Sequence, residues 1–122
     1  MVTKLKDNLT YIMYIRKKMK EKMPEWEEKG VAYEGQINNN FQLDFKYLDN
    51  NVSFVKDRGL LELRIYYQNE LVLLGYLLYN FILKKIPDQD PRWRLSLCTE
   101  LIDYYIDFLK CYYERDEFGK LE

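Results

Sequence analysis

The chain contains no histidine. That absence removes Ser-His-Asp and Cys-His catalysis, imidazole general bases and the usual His-containing zinc sites. Cysteine is scarce: Cys98 and Cys111 fall on one predicted helix, where a rise of about 1.5 Å per residue separates them by about 20 Å. They are too far apart for a disulfide and wrongly spaced for a redox pair. Free thiols fit a reducing compartment, and Cys98 on an apolar face reads as a small buried residue. The five glycines, at 30, 35, 59, 75 and 119, never cluster into a phosphate-cradling loop, so nucleotide binding has no support. The longest apolar stretch, Leu71 to Leu83, is broken by Gly75 and Asn80 and falls short of the roughly 20 residues that span a bilayer. Met1 to Lys22 carries charges throughout, so no secretory signal is expected. These absences predict a cytoplasmic protein with no cofactor, no metal and no membrane association.

What is present is a folded domain. The 122 residues, 48% hydrophobic and 32% charged, suffice for one core without staples, and a single domain over residues 1–122 is expected. Twelve Tyr, six Phe and two Trp make 16% of the chain aromatic, more than a small core absorbs, so half-exposed rings of the kind found at interfaces are expected. Net charge is −1, but the first 23 residues are mainly basic and the last 23 mainly acidic, a polarity that bears on association.

Thr3 can cap a helix in which Leu5, Leu9, Ile12, Ile15, Met19 and Met23 recur at three- and four-residue intervals, the spacing of one helical face. Pro24 either ends this helix or opens a short continuation through Trp26 and Glu28 that Gly30 stops. Over residues 31–59, Phe41, Leu43, Phe45 and Tyr47 alternate with polar residues. Alternation resumes at Val52 and Phe54 after the turn-forming Asp49-Asn50-Asn51, which reads as a β-hairpin or, failing that, an aromatic-pinned loop. From about Leu60 to Ile86 the stripe Leu60, Leu63, Tyr67, Leu71, Leu74 and Leu78 predicts one long central helix. Leu61, Leu63, Ile65 and Tyr67 also alternate, so the competing reading is a third strand with Asn69 capping a shorter helix. Asp90-Pro91 starts a last helix that runs to about Arg115. The expected fold class is mainly α: three long amphipathic helices packed as a small bundle, with a hairpin-like insertion at 31–59 between the first and second.

Three charged features could carry function. Asp103 and Asp107, one helical turn apart, could share an oxygen-preferring ion such as Mg²⁺, although the plainer reading is a solvated acidic face. Arg16, Lys17, Lys18, Lys20 and Lys22 could follow a phosphate backbone, against which stands an overall charge near zero. On the last helix, Glu100, Asp103, Tyr104, Asp107, Tyr113 and Glu114 interleave acids with tyrosines, a composition suited to a surface that plugs a basic cleft: aromatics supply contact area and acids steer encounter.

Lys4-Leu5-Lys6-Asp7 with Tyr11, Tyr14-Ile15 and Trp26-Glu27-Glu28-Lys29, followed by an apolar helix and a Tyr-rich helix, resembles the N-terminal helical region of polymorphic-toxin immunity proteins of the PoNi type. The resemblance implies a bacterial, cytoplasmic helical protein that binds and neutralises a toxic nuclease domain. The expected function is therefore inhibition of a partner protein with a basic surface, by direct one-to-one association and without enzymatic activity. The alternative is a nucleic-acid-associated accessory protein of a phage or mobile element, acting through the basic first helix.

Overall fold

The structure is a computed structural model that describes residues 4–33, 40–73, 77–78, 80–81 and 97–114. Its first element is helix α1, Asn8–Lys22. Asp7 caps it by accepting from the backbone N–H of Thr10 at 2.9 Å and from the Thr10 hydroxyl at 2.7 Å, satisfying a donor that the first turn leaves open. The predicted cap, Thr3, lies outside the described residues. Pro24 ends the helix: the residue before a proline avoids the α region, and Met23 is non-helical at φ −136°, ψ 64°. No helical continuation follows. The chain enters strand β1, Glu27–Tyr33, in which Gly30 stands beside a register shift after Glu28.

Four more strands follow, β2 Phe41–Tyr47, β3 Asn50–Asp57, β4 Leu60–Tyr67 and β5 Glu70–Val72. All five pair antiparallel with their sequence neighbours, giving a sheet of order β1-β2-β3-β4-β5. Two-residue turns at 48–49, 58–59 and 68–69 connect β2 through β5. Arg58 and Gly59 (φ 55° and 81°) and Gln68 and Asn69 (φ 50° and 67°) have both central residues at positive φ, the I′ geometry whose twist matches the flanking strands. Helix α2, Thr99–Glu114, closes the described chain.

This architecture corrects the expected mainly α three-helix bundle. Residues 31–59 are not an insertion in a helical domain; they contribute to the first three strands of the sheet that organises the core. Residues 60–67, expected as the start of a long helix, are β4. Burial there follows period two, with Leu61, Leu63 and Ile65 buried while Leu60 and Glu62 are exposed. The chain then turns at Gln68-Asn69 into β5, so Asn69 caps no helix. Leu77, Leu78, Asn80 and Phe81 are helical. Leu74, expected at the centre of the core, lies outside the described residues, and Leu78 is only partly buried against the core. Asp90-Pro91, the expected start of the last helix, and its expected end, Arg115, also lie outside them.

The core forms where one face of the sheet meets the two helices. Phe41, Leu43, Phe45, Val52, Phe54, Leu61, Leu63 and Ile65 share that face by register. They pack with Ile12, Ile15 and Met19 of α1 and with Leu101, Ile102, Tyr105, Phe108 and Leu109 of α2. Tyr105 ties α2 to the sheet by donating to the Leu61 carbonyl at 2.6 Å. The opposite sheet face is polar, with Gln42 Nε2 and Ser53 Oγ both donating to Asp44 and Arg64 paired with Glu62. Among the described residues, no helix is long and apolar enough to cross a membrane.

Candidate functional site

Helix α2 buries Leu101, Ile102, Tyr105, Ile106, Phe108, Leu109 and Tyr112, so its remaining surface is set by the 100° step of the helix. Glu100, Asp103, Asp107 and Glu114 then fall within about one sixth of the circumference, all at least partly accessible, with Tyr104 and the exposed Cys111 beside them. Lys110 pairs with Glu114 at 2.7 Å. The structure thus brings together five of the six predicted partner-binding residues. Tyr113 turns away, into contact with Trp26.

Asp103 is committed elsewhere. It accepts from the Tyr14 hydroxyl of α1 at 2.8 Å and 3.1 Å. Burial, then the adjoining Asp103 carboxylate, push the Tyr14 hydroxyl well above the ordinary tyrosine range. Lys18 lies 5.6 Å from the Tyr14 ring centre, and Lys18, Lys22, Asp103, Ile106 and Asp107 line one shallow groove. Asp103 and Asp107 therefore face lysines across the α1–α2 seam. Among the described residues no cluster of three or more potential metal ligands occurs.

The predicted basic row does not survive as a row. Consecutive helical residues are 100° apart, so its five cations go to different sides of α1. Arg16 forks onto Glu28 of β1 with two 2.7 Å bonds, Lys18 and Lys22 border the seam with α2, and Lys17 and Lys20 are exposed to solvent.

A second site was not foreseen. Where the end of α1, the β2–β3 turn and the C-terminal end of α2 meet, Lys22, Met23, Glu25, Trp26, Tyr47, Leu48, Asn50, Tyr113 and Glu114 line a cleft of about 190 Å³. Trp26 stands between two tyrosines, its ring centre 4.9 Å from that of Tyr113 at 60° and 5.8 Å from that of Tyr47 at 40°. Asn50 is only 4% exposed. Its Oδ1 and the Tyr113 hydroxyl are buried and have no hydrogen-bond partner among the described residues. Burial drives the Tyr113 hydroxyl well above the usual tyrosine range, so it stays neutral. Of its lining, Tyr113 and Glu114 were predicted site residues, though for the α2 surface; Asn50 was hidden by its placement in a turn.

Lys56 was also missed. It occupies an inward position of β3, in line with Val52 and Phe54, is 8% exposed, and donates to Asn8 Oδ1 at 2.9 Å. Burial lowers its pKa. The alternation that marks β3 marks Lys56 too, as a polar residue on the apolar face. Compared with known proteins, the chain matches no family model, no characterised sequence and no solved structure.

Proposed function

We propose that this is a small binding protein of immunity or inhibitor type. It neutralises a partner protein by direct one-to-one association and presents the acidic, tyrosine-bearing side of α2 to a basic surface. The observation that carries this reading is the contrast between the helices: four acids of α2 share one narrow stripe, whereas the cations of α1 are divided among three directions. A mainly acidic stripe next to an aromatic ring steers encounter with an oppositely charged cleft and then supplies contact area.

The test uses the partner recovered by affinity purification from the native host. Reversing Glu100 and Asp107 to lysine should slow association about tenfold or more at low salt, and the difference should shrink as salt is added. Asp103 is left intact because its reversal would also disrupt the bond from Tyr14. Reversing the exposed Lys17 and Lys20 should change association much less. An unchanged rate in the α2 variant, with loss of binding in the α1 variant, would refute the proposal and move the contact to the basic helix, where nucleic acid is the natural candidate.

A further inference from the structure

We infer that the cleft beside Trp26 is a receptor for a guanidinium group, the head of an arginine side chain carried by the partner protein. Two buried atoms on residues that line the cleft bear on the hydrogen-bonding sense of the ligand. The Oδ1 of the buried Asn50 can only accept, and the buried Tyr113 hydroxyl can accept as well; neither has a partner among the described residues. Orphaned buried polar atoms are uncommon in native proteins because each loses its hydration without recompense. A ligand that completes this pair must bring at least one donor, and a guanidinium brings five in a rigid fork with no acceptor.

The walls fix its shape. Trp26, Tyr47 and Tyr113 present three mutually inclined rings, surfaces on which a flat, weakly hydrated cation lies favourably and a compact ammonium less so. The charged lining fixes its charge. Glu25 and Glu114 stand in it against Lys22, and the pair of Glu114 with Lys110 is solvent-exposed, so an arginine fork can replace it at little cost. The assignment to a partner's arginine rests on the protein-binding reading above; the guanidinium chemistry rests on the cleft alone.

The experiment titrates the full chain with acetylated arginine methylamide, followed through the Trp26 indole N–H resonance. A saturable shift is expected, with the lysine counterpart needing at least about tenfold higher concentration. Asn50→Leu and Tyr113→Phe each remove one orphaned polar atom while keeping bulk, and each should weaken arginine binding about tenfold without loss of stability, a combination that a purely structural role would not produce. Should Asn50→Leu fail to fold, Tyr113→Phe decides alone. Absence of a saturable arginine response, an equal response to the lysine probe, or wild-type affinity in the folded variants would overturn the inference; binding of free arginine but not of the blocked derivative would overturn its assignment to a protein side chain. No partner enters this titration, so its failure leaves the α2 proposal standing, and failure of that proposal leaves the titration intact.

Discussion

Tyr105 and Tyr113 lie two turns apart on α2 and invite the same deletion, one oxygen atom, with opposite expected outcomes. Tyr105 is 1% exposed and donates to the Leu61 carbonyl at 2.6 Å. Tyr105→Phe forfeits that bond and leaves a buried acceptor short, a loss of about 1–2 kcal/mol. The Tyr113 hydroxyl has no bond to lose among the described residues. Tyr113→Phe removes a desolvated polar atom that nothing compensates, so stability should stay level or rise by up to about 1 kcal/mol. At roughly 4 °C per kcal/mol for a domain of this size, the two variants should differ in Tm by roughly 4–12 °C. Urea unfolding followed by circular dichroism measures the gap without relying on reversibility at high temperature. Equal destabilisation by the two substitutions would refute the reasoning, because it would mean that the Tyr113 hydroxyl has a partner in the free protein and that the cleft is already satisfied.

Leu61→Ala, at a fully buried position of β4, should cost about 2–5 kcal/mol in denaturant unfolding, while Leu60→Ala, next to it and exposed, should stay within about 0.5 kcal/mol; similar losses at both would contradict the strand register. Alkaline pH should destabilise the fold. Tyr14, Tyr104, Tyr105, Tyr112 and Tyr113 all have raised pKa values, chiefly through burial, so above about pH 10 the unfolded chain releases protons that the folded chain retains. The stability these groups contribute is fully present below pH 10 and lost above it. Lys56, lowered by burial, works in the opposite direction as a single group against five. Unfolding midpoints at successive pH values check the sign, and a midpoint that rises above pH 10 would exclude it.

The fold was legible where one periodicity stood alone and illegible where two coincided. In α1, Ile12, Ile15 and Met19 recur at helical spacing and are buried as that spacing requires, although Leu9 of the same stripe is exposed. Between Leu60 and Tyr67 a helical stripe and a strand alternation overlap, sharing Leu63 and Tyr67. The arbiter was local, namely paired residues able to hold positive φ at 58–59 and 68–69. With the turn at 48–49, these fall ten residues apart, the rhythm of a meander. The turn at 68–69 has no Gly, and Gln at φ 50° is an uncommon choice, so its cue was weak and the leucine stripe ran through it.

The acidic stripe was legible for a related reason: residues on one helix keep their mutual geometry whatever the helix packs against. What the linear pattern could not supply was the opposing surface, the Tyr14 hydroxyl that bonds Asp103 and the lysines that line the groove beside it. The cleft was out of reach because its rings come from three separate stretches of the chain, at positions 26, 47 and 113. Its decisive residue was misread by a single register step. With the turn placed at Asp49-Asn50-Asn51, Asn50 is an ordinary solvated turn residue. The actual turn is Leu48-Asp49, and Asn50 opens β3 opposite Tyr47, on the same face as Val52 and Phe54. Because side chains alternate along a strand, that one-residue shift moves an amide from water to the edge of the core. Asparagine at an inward strand position, where an apolar residue would pack without cost, leaves a buried acceptor unpaired among the described residues, on a residue that lines the cleft.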